Sequence, residues 1–152
     1  MKKRFLLIFL LLFFAGCSVK TIPVYVALRT PKVKVSDEGF LKEGWGYKEL
    51  EIYKAGFAPI KITLKNSYIC LNSHCMDKEK FIKELSPDYP PDILDKIING
   101  KPLSFIGKII KLKNGFVQKN DRFYYLVAGN KILFKDKKKK IIIFIKKLKG
   151  NG

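Results

Sequence analysis

One histidine in 152 residues is the first scarcity in this sequence, and acidic side chains are the second. His74 sits in Cys70-Leu71-Asn72-Ser73-His74-Cys75. Two thiols and one imidazole fall short of a closed metal site unless water or a carboxylate completes it. No glycine-rich loop follows a strand in the manner that cradles phosphate. Glu49 and Glu51 alternate along a strand with nothing beside them to form an acid–base pair, so a solvated face accounts for them. Catalysis therefore has no constellation to work with, and no enzyme activity, metal or cofactor is expected. The 13 Asp and Glu stand against 31 Lys and Arg, giving a net charge of +18. Such an excess points to nucleic acid or to an anionic membrane surface. Phe123, Tyr124 and Tyr125 among basic residues are compatible with base stacking, but aromatics in a sheet more often pack on their neighbours.

A long apolar run is also missing. Phe5 to Ala15 (FLLIFLLLFFA) is too short for the roughly 20 residues that a spanning helix needs. It follows Met1-Lys2-Lys3-Arg4 and precedes Ala15-Gly16-Cys17, the layout of a secretory signal peptide. The Phe14-Ala15-Gly16-Cys17 stretch resembles the lipobox of bacterial lipoproteins, with Phe14 where Leu is usual. The resemblance implies that residues 1–16 are removed and that Cys17 carries diacylglycerol on its sulfur and an acylated amino terminus. Two or more acyl chains make a stable anchor, which one chain does not. An ordinary signal peptide with a chance cysteine is the other reading. Ser18, in place of the Asp that retains such proteins at the inner membrane, points to the periplasmic face of the outer membrane. No nucleic acid is met there, so the basic balance is read as attraction to anionic head groups or to an acidic partner. In that oxidising compartment Cys70 and Cys75 suit a disulfide closing a small loop, with free thiols or metal ligation as the alternatives.

Residues 17–23 read as a lipidated tether and 24–149 as a single domain. Val24 to Leu28 suits a first strand, and Val33 to Val35 a second. Ser36 to Gly46, with three glycines and no period, reads as a loop. Tyr47 to Lys54 sets Leu50 and Ile52 on one face, and Ile60, Ile62 and Leu64 alternate with Lys61, Thr63 and Lys65. Between them Ala55, Gly56 and Phe57 form a turn whose aromatic either folds back on the core or enters lipid. Asp77 is placed to cap a helix over Lys78 to Leu85. Pro90 and Pro91 open a second helix, Ile93, Leu94, Ile97 and Ile98 give it one apolar side, and Asn99-Gly100 ends it. So short a helix must lie on something, and the rest of the chain offers strands. Phe105 to Leu112 begins a run of strands joined by short turns, Asn114-Gly115 the clearest of them, which must therefore be a meander. Ile141 to Ile145 is apolar on consecutive residues, so both of its faces should be covered. Strands, then two short helices, then strands predict an α+β domain in which an antiparallel sheet curls around a helical layer.

Tyr47-Lys48-Glu49-Leu50-Glu51-Ile52, the Gly56 turn, Ile60-Lys61-Ile62-Thr63-Leu64 and the helix Asp77 to Leu85 follow the order of a known family. Pro90, Leu94, Ile97, Gly100 and Pro102 follow its pattern P-x-x-x-L-x-x-W-x-x-G-x-P, with Ile97 in place of Trp, and Lys140 to Lys147 resembles its closing strand. On these residues the chain resembles the LolB-type outer-membrane lipoprotein receptors. The resemblance implies an incomplete β-barrel closed by lid helices, with Ile93, Leu94, Ile97 and Ile98 over a cavity for acyl chains. It further implies a monomer that accepts lipoproteins from a LolA-like periplasmic carrier and inserts them in the outer membrane. The inserting loop would be Ala55-Gly56-Phe57, where the family usually has Pro-Leu-Gly. A non-catalytic scaffold lipoprotein of an outer-membrane assembly is the other expectation.

Overall fold

In the computed structural model, which describes residues 19–31, 33–54 and 59–149, the chain forms one antiparallel sheet of 11 strands and two short helices. The first six strands are β1 Lys20–Arg29, β2 Lys34–Gly44, β3 Tyr47–Ile52, β4 Ile60–Lys65, β5 Tyr68–Leu71 and β6 His74–Asp77. Helices α1 Lys78–Leu85 and α2 Ile93–Ile98 follow. The chain closes with β7 Ile109–Leu112, β8 Gly115–Lys119, β9 Phe123–Ala128, β10 Lys131–Asp136 and β11 Ile141–Lys147. The spatial order β6-β5-β4-β3-β2-β1-β11-β10-β9-β8-β7 is two meanders zipped together along β1 and β11. The sheet does not close, so β6 and β7 are its edges.

Alternation within each strand, held in register across its neighbours, builds one apolar face. Val26, Ile145, Ile132, Val127 and Phe116 stand in one row across five strands; Leu28, Ile143, Phe134, Tyr125 and Gln118 form the next. A single buried cluster joins side chains from β1 to β5, from β9 to β11 and from both helices, so the sheet curls around the helical layer. That is the α+β arrangement expected.

Three local readings need correction. Ser36 to Gly46 is not a loop, since β2 runs through it and pairs with both β1 and β3. Gly39 explains why it carries no period: a Cβ there would lie 1.9 Å from the Glu51 carbonyl oxygen, so the position excludes a side chain. Lys20 to Pro23, read as part of a tether, belong to β1, which begins at Lys20. Pro23 is tolerated since its carbonyl accepts from Leu148 N, so its missing N–H points to the end of β11 and not into the β2 ladder. Phe105 and Ile106 belong to a turn, and β7 starts only at Ile109. The small loop expected between Cys70 and Cys75 is the turn of the β5–β6 hairpin, with Asn72 at φ 54°.

Glu51 also departs from the solvated face expected of it. It is buried on the convex side, bonded to Lys42, with Lys61 Nζ at 3.6 Å, while Lys42 also reaches Glu49 at 3.5 Å. The Lys42 hydrogen bond holds the Glu51 carboxyl below the usual range despite the opposing push of burial.

Candidate functional site

The concave face is a trough of hydrocarbon and aromatic rings. Val24 and Val26 from β1, Leu41 from β2, Leu50 and Ile52 from β3, and Leu64 and Ile69 from β4 and β5 form one side. Phe123, Tyr125, Ile132, Phe134, Ile141 and Ile145 form the other. The segment from α1 to the turn before β7 roofs it and drops Ile82, Tyr89, Ile93, Ile97, Ile98, Leu103 and Ile106 into it. Tyr89, Phe105, Phe123 and Phe134 pack edge or tilted at centroid distances of 5.2 to 6.5 Å.

Local chemistry makes each part of this roof. Asp77 accepts a hydrogen bond from Lys80 N at 2.9 Å and so starts α1, as its position in the sequence predicts. Gly100, at φ 63°, ends α2 in the left-handed geometry that a Cβ disfavours. The expected lid residues Ile93, Ile97 and Ile98 are buried in the cluster, and Leu94 packs partly against it.

Among the described residues, the polar contacts that fix the roof include three sets. Lys78 Nζ on α1 donates to Asp95 on α2 at 2.9 Å, tying the two helices together. Gln118 on β8 is buried; it accepts from Leu103 N at 2.8 Å and donates to the carbonyls of Leu103 and Gly107. The third fixing lies at the linker between the helices. Asp136 on β10 is wholly buried and receives Tyr89 Oη at 2.8 Å, Arg122 Nε at 3.0 Å and Nη2 at 2.8 Å, and Lys139 N at 2.9 Å. The same guanidinium reaches Asp88 at 2.7 Å and Ser86 Oγ at 3.2 Å, and lies 4.5 Å from the Phe123 ring centre. Burial and the Asp136 carboxylate push the Tyr89 phenol far above its usual value, so it stays a donor.

One polar atom in the trough is unsatisfied. Among the described residues, Tyr125 Oη is the buried side-chain nitrogen or oxygen without a partner. Desolvation alone raises its pKa, so it too remains a neutral hydroxyl. It stands between Phe116 and Phe134, at ring-centre distances of 5.6 and 6.3 Å, in the row that ends at Gln118.

Among the described residues, two adjoining clefts lie away from residues 93–98. One of about 520 Å³ lies among Arg29, Lys34, Lys135, Lys137, Lys140 and Ile142, where β1 ends and β10 turns into β11. The other, of about 340 Å³, adjoins it along Ala27, Leu28 and Val35.

The remaining expected site residues are dispersed. Cys70 and Cys75 are disulfide-bonded directly across the β5–β6 pair, and His74 is exposed beside them. Cys17, Ala55, Gly56 and Phe57 lie outside the described residues. The chain leaves β3 at Ile52 and rejoins the sheet at Ile60, and both positions are at the opposite end from Lys20, where β1 begins. Strands of this length are about 20 Å long, so Lys20 lies at one end of the sheet and Ile52 and Ile60 at the other. Sequence reasoning did not single out Arg122, Asp136, Tyr89 or Gln118 as a group. They come from separate stretches of chain, and no spacing rule links them.

An open, curled antiparallel sheet with two short helices packed on it is therefore the class that the fold defines. No family model matches the chain, and no curated protein matches it either.

Proposed function

We propose that this protein is a membrane-anchored acceptor of lipoprotein acyl chains, with the trough as the acyl site and the segment from α1 to Ile106 as its displaceable roof. Tyr125 carries the reading: among the described residues its hydroxyl is the buried side-chain polar atom without a partner, whereas Gln118 and Asp136 nearby are satisfied, and such a hydroxyl would donate to a carbonyl. An acyl ester or amide presents a carbonyl at the head of a hydrocarbon tail, and each CH₂ withdrawn from water is worth ~0.8 kcal/mol. The roof supports the same reading. Its isoleucines and leucine occupy the trough as a cargo tail would, and its helices are too short to persist unsupported. Acceptance is then an exchange of one set of hydrocarbon contacts for another, with no covalent step. Cys17 would supply the anchor, the outer membrane the location, and a LolA-like soluble carrier the donor.

Displacement of a fluorescent fatty-acyl ester from the protein by an acylated peptide tests the proposal. Saturable binding is expected, weakened by Tyr125→Phe. A probe that never binds, with the protein folded, would falsify it.

The packing of Ile93, Ile97 and Ile98 within the core favours a second reading, a scaffold lipoprotein whose interior never opens. Hydrogen exchange separates the two. A roof that opens independently exchanges faster than β9 to β11; a scaffold's roof exchanges with them.

A further inference from the structure

We propose that the β2–β3 turn, carrying Trp45, is the surface this protein lays against an anionic lipid bilayer. The inference rests on the membrane-anchored reading above, but not on acyl binding. Trp45 is the chain's single tryptophan and is 97% exposed at the tip of the turn. Gly46 beside it adopts φ 75°, and the Tyr47 ring lies so close over Gly44 that a Cβ there would meet it at 2.1 Å. The turn is therefore shaped to hold the indole outward.

Its surroundings are those of a bilayer interface. Lys20 pairs with Glu43 across β1 and β2, and Lys48, Lys20 and Lys147 all act on that carboxylate, with the Lys48 hydrogen bond the strongest in holding it below its usual range. Lys65 lies 5.1 Å from the ring centre of exposed Tyr68 at the same end. The acidic groups there are engaged: Glu43 by Lys48, and Asp77 in capping α1. Trp and Tyr settle at the head-group level of a bilayer, and lysine stems reach along it with the ammonium in water. Anionic lipids attract such lysines.

Strand register supplies the remaining argument. β1 begins beside this turn, because Lys20 faces Glu43, and in sequence Cys17 stands three residues before Lys20. Whatever holds the amino-terminal segment to a membrane brings Trp45 to the same surface. The opposite end is also basic, with Arg29, Lys34 and Lys137 around its cleft, but the chain's entry lies away from it.

The experiment uses the full chain reconstituted in phosphatidylcholine–phosphatidylglycerol vesicles, with and without brominated acyl chains that quench indole. Trp45 emission is expected to shift to the blue and to be lost in the brominated vesicles. The companion variant carries Trp45→Phe with Leu71→Trp, which moves the only indole to an exposed position at the far end of β5. Its emission should be unaffected. An unquenched Trp45, equal quenching of both, or quenching of the Leu71→Trp reporter alone overturns the proposal. Equal quenching in pure phosphatidylcholine overturns the role of the lysines. Trp45→Ser should leave acyl-probe binding unchanged, so failure here and failure of the acyl-site reading are told apart.

Discussion

Asp136 has no exposed surface, yet four hydrogen bonds from Tyr89, Arg122 and Lys139 converge on it. A buried carboxylate deprived of its cation is an uncompensated charge, so Arg122→Ala is expected to lower stability by about 3–5 kcal/mol, read from urea denaturation. Arg122→Lys should recover little, because one ammonium cannot span Asp136, Asp88 and Ser86 together. Burial pushes the Asp136 carboxyl up, but Arg122, Lys139 N–H and Tyr89 together outweigh it, and it sits below its usual range. Asp88, Glu43 and Glu51 are lowered in the same direction. A depressed folded value means that their stabilisation is complete above the unfolded carboxyl value of about 4 and is lost as pH falls through the lower folded one. Urea midpoints should therefore hold from neutrality to about pH 5 and decline below about pH 4, with Asp136→Asn flattening part of that decline. Tyr125→Phe should act in the opposite sense on stability. Removing an unsatisfied buried hydroxyl is expected to gain about 1 kcal/mol while weakening the ester-bearing probe.

Among elements, α2 depends most on its surroundings. It spans six residues and has no side-chain cap at its start, so its persistence comes from the trough beneath it. Gly100 both ends it and lies close to the sheet: a Cβ there would sit 3.3 Å from Val127 Cγ1, at a positive φ. Gly100→Ala is expected to cost about 1–3 kcal/mol and to speed hydrogen exchange in α2 before β9 and β10. The β5–β6 hairpin is the other dependent element. It lies at the sheet's edge and Cys70–Cys75 closes only a short loop, so Cys70→Ser with Cys75→Ser should lose about 2 kcal/mol. Exchange should rise in β5 and β6 and stay unchanged in β8 to β11. The helices were legible in the sequence because cap, period and stop all lie within a few residues, as at Asp77 and Gly100. β2 was not, because Gly39 is fixed by the Glu51 carbonyl on the neighbouring strand.

For the molecule as a whole, the two ends of the sheet do different work. One end gathers the chain's entry, Trp45 and a set of lysines; the other holds the Arg122–Asp136 fixing and the basic cleft. If the roof opens to admit acyl chains, weakening that fixing should favour opening. Arg122→Ala is then expected to bind the acyl probe faster while folding less stably, a pairing that a closed scaffold would not show. Stopped-flow fluorescence beside urea denaturation measures both.

Alternation and turn chemistry act between near neighbours, so the sequence by itself determined the half-buried strands, both helices, the second meander and the apolar side of α2, Ile93, Leu94, Ile97 and Ile98. Only the tertiary structure decided that β1 zips to β11, that Glu51 is buried among lysines, and that Arg122, Asp136 and Tyr89 meet under the roof. Those outcomes depend on strands brought together by the curl of the sheet, and on charges whose burial no local pattern records. The same curl filled the trough with the chain's own isoleucines.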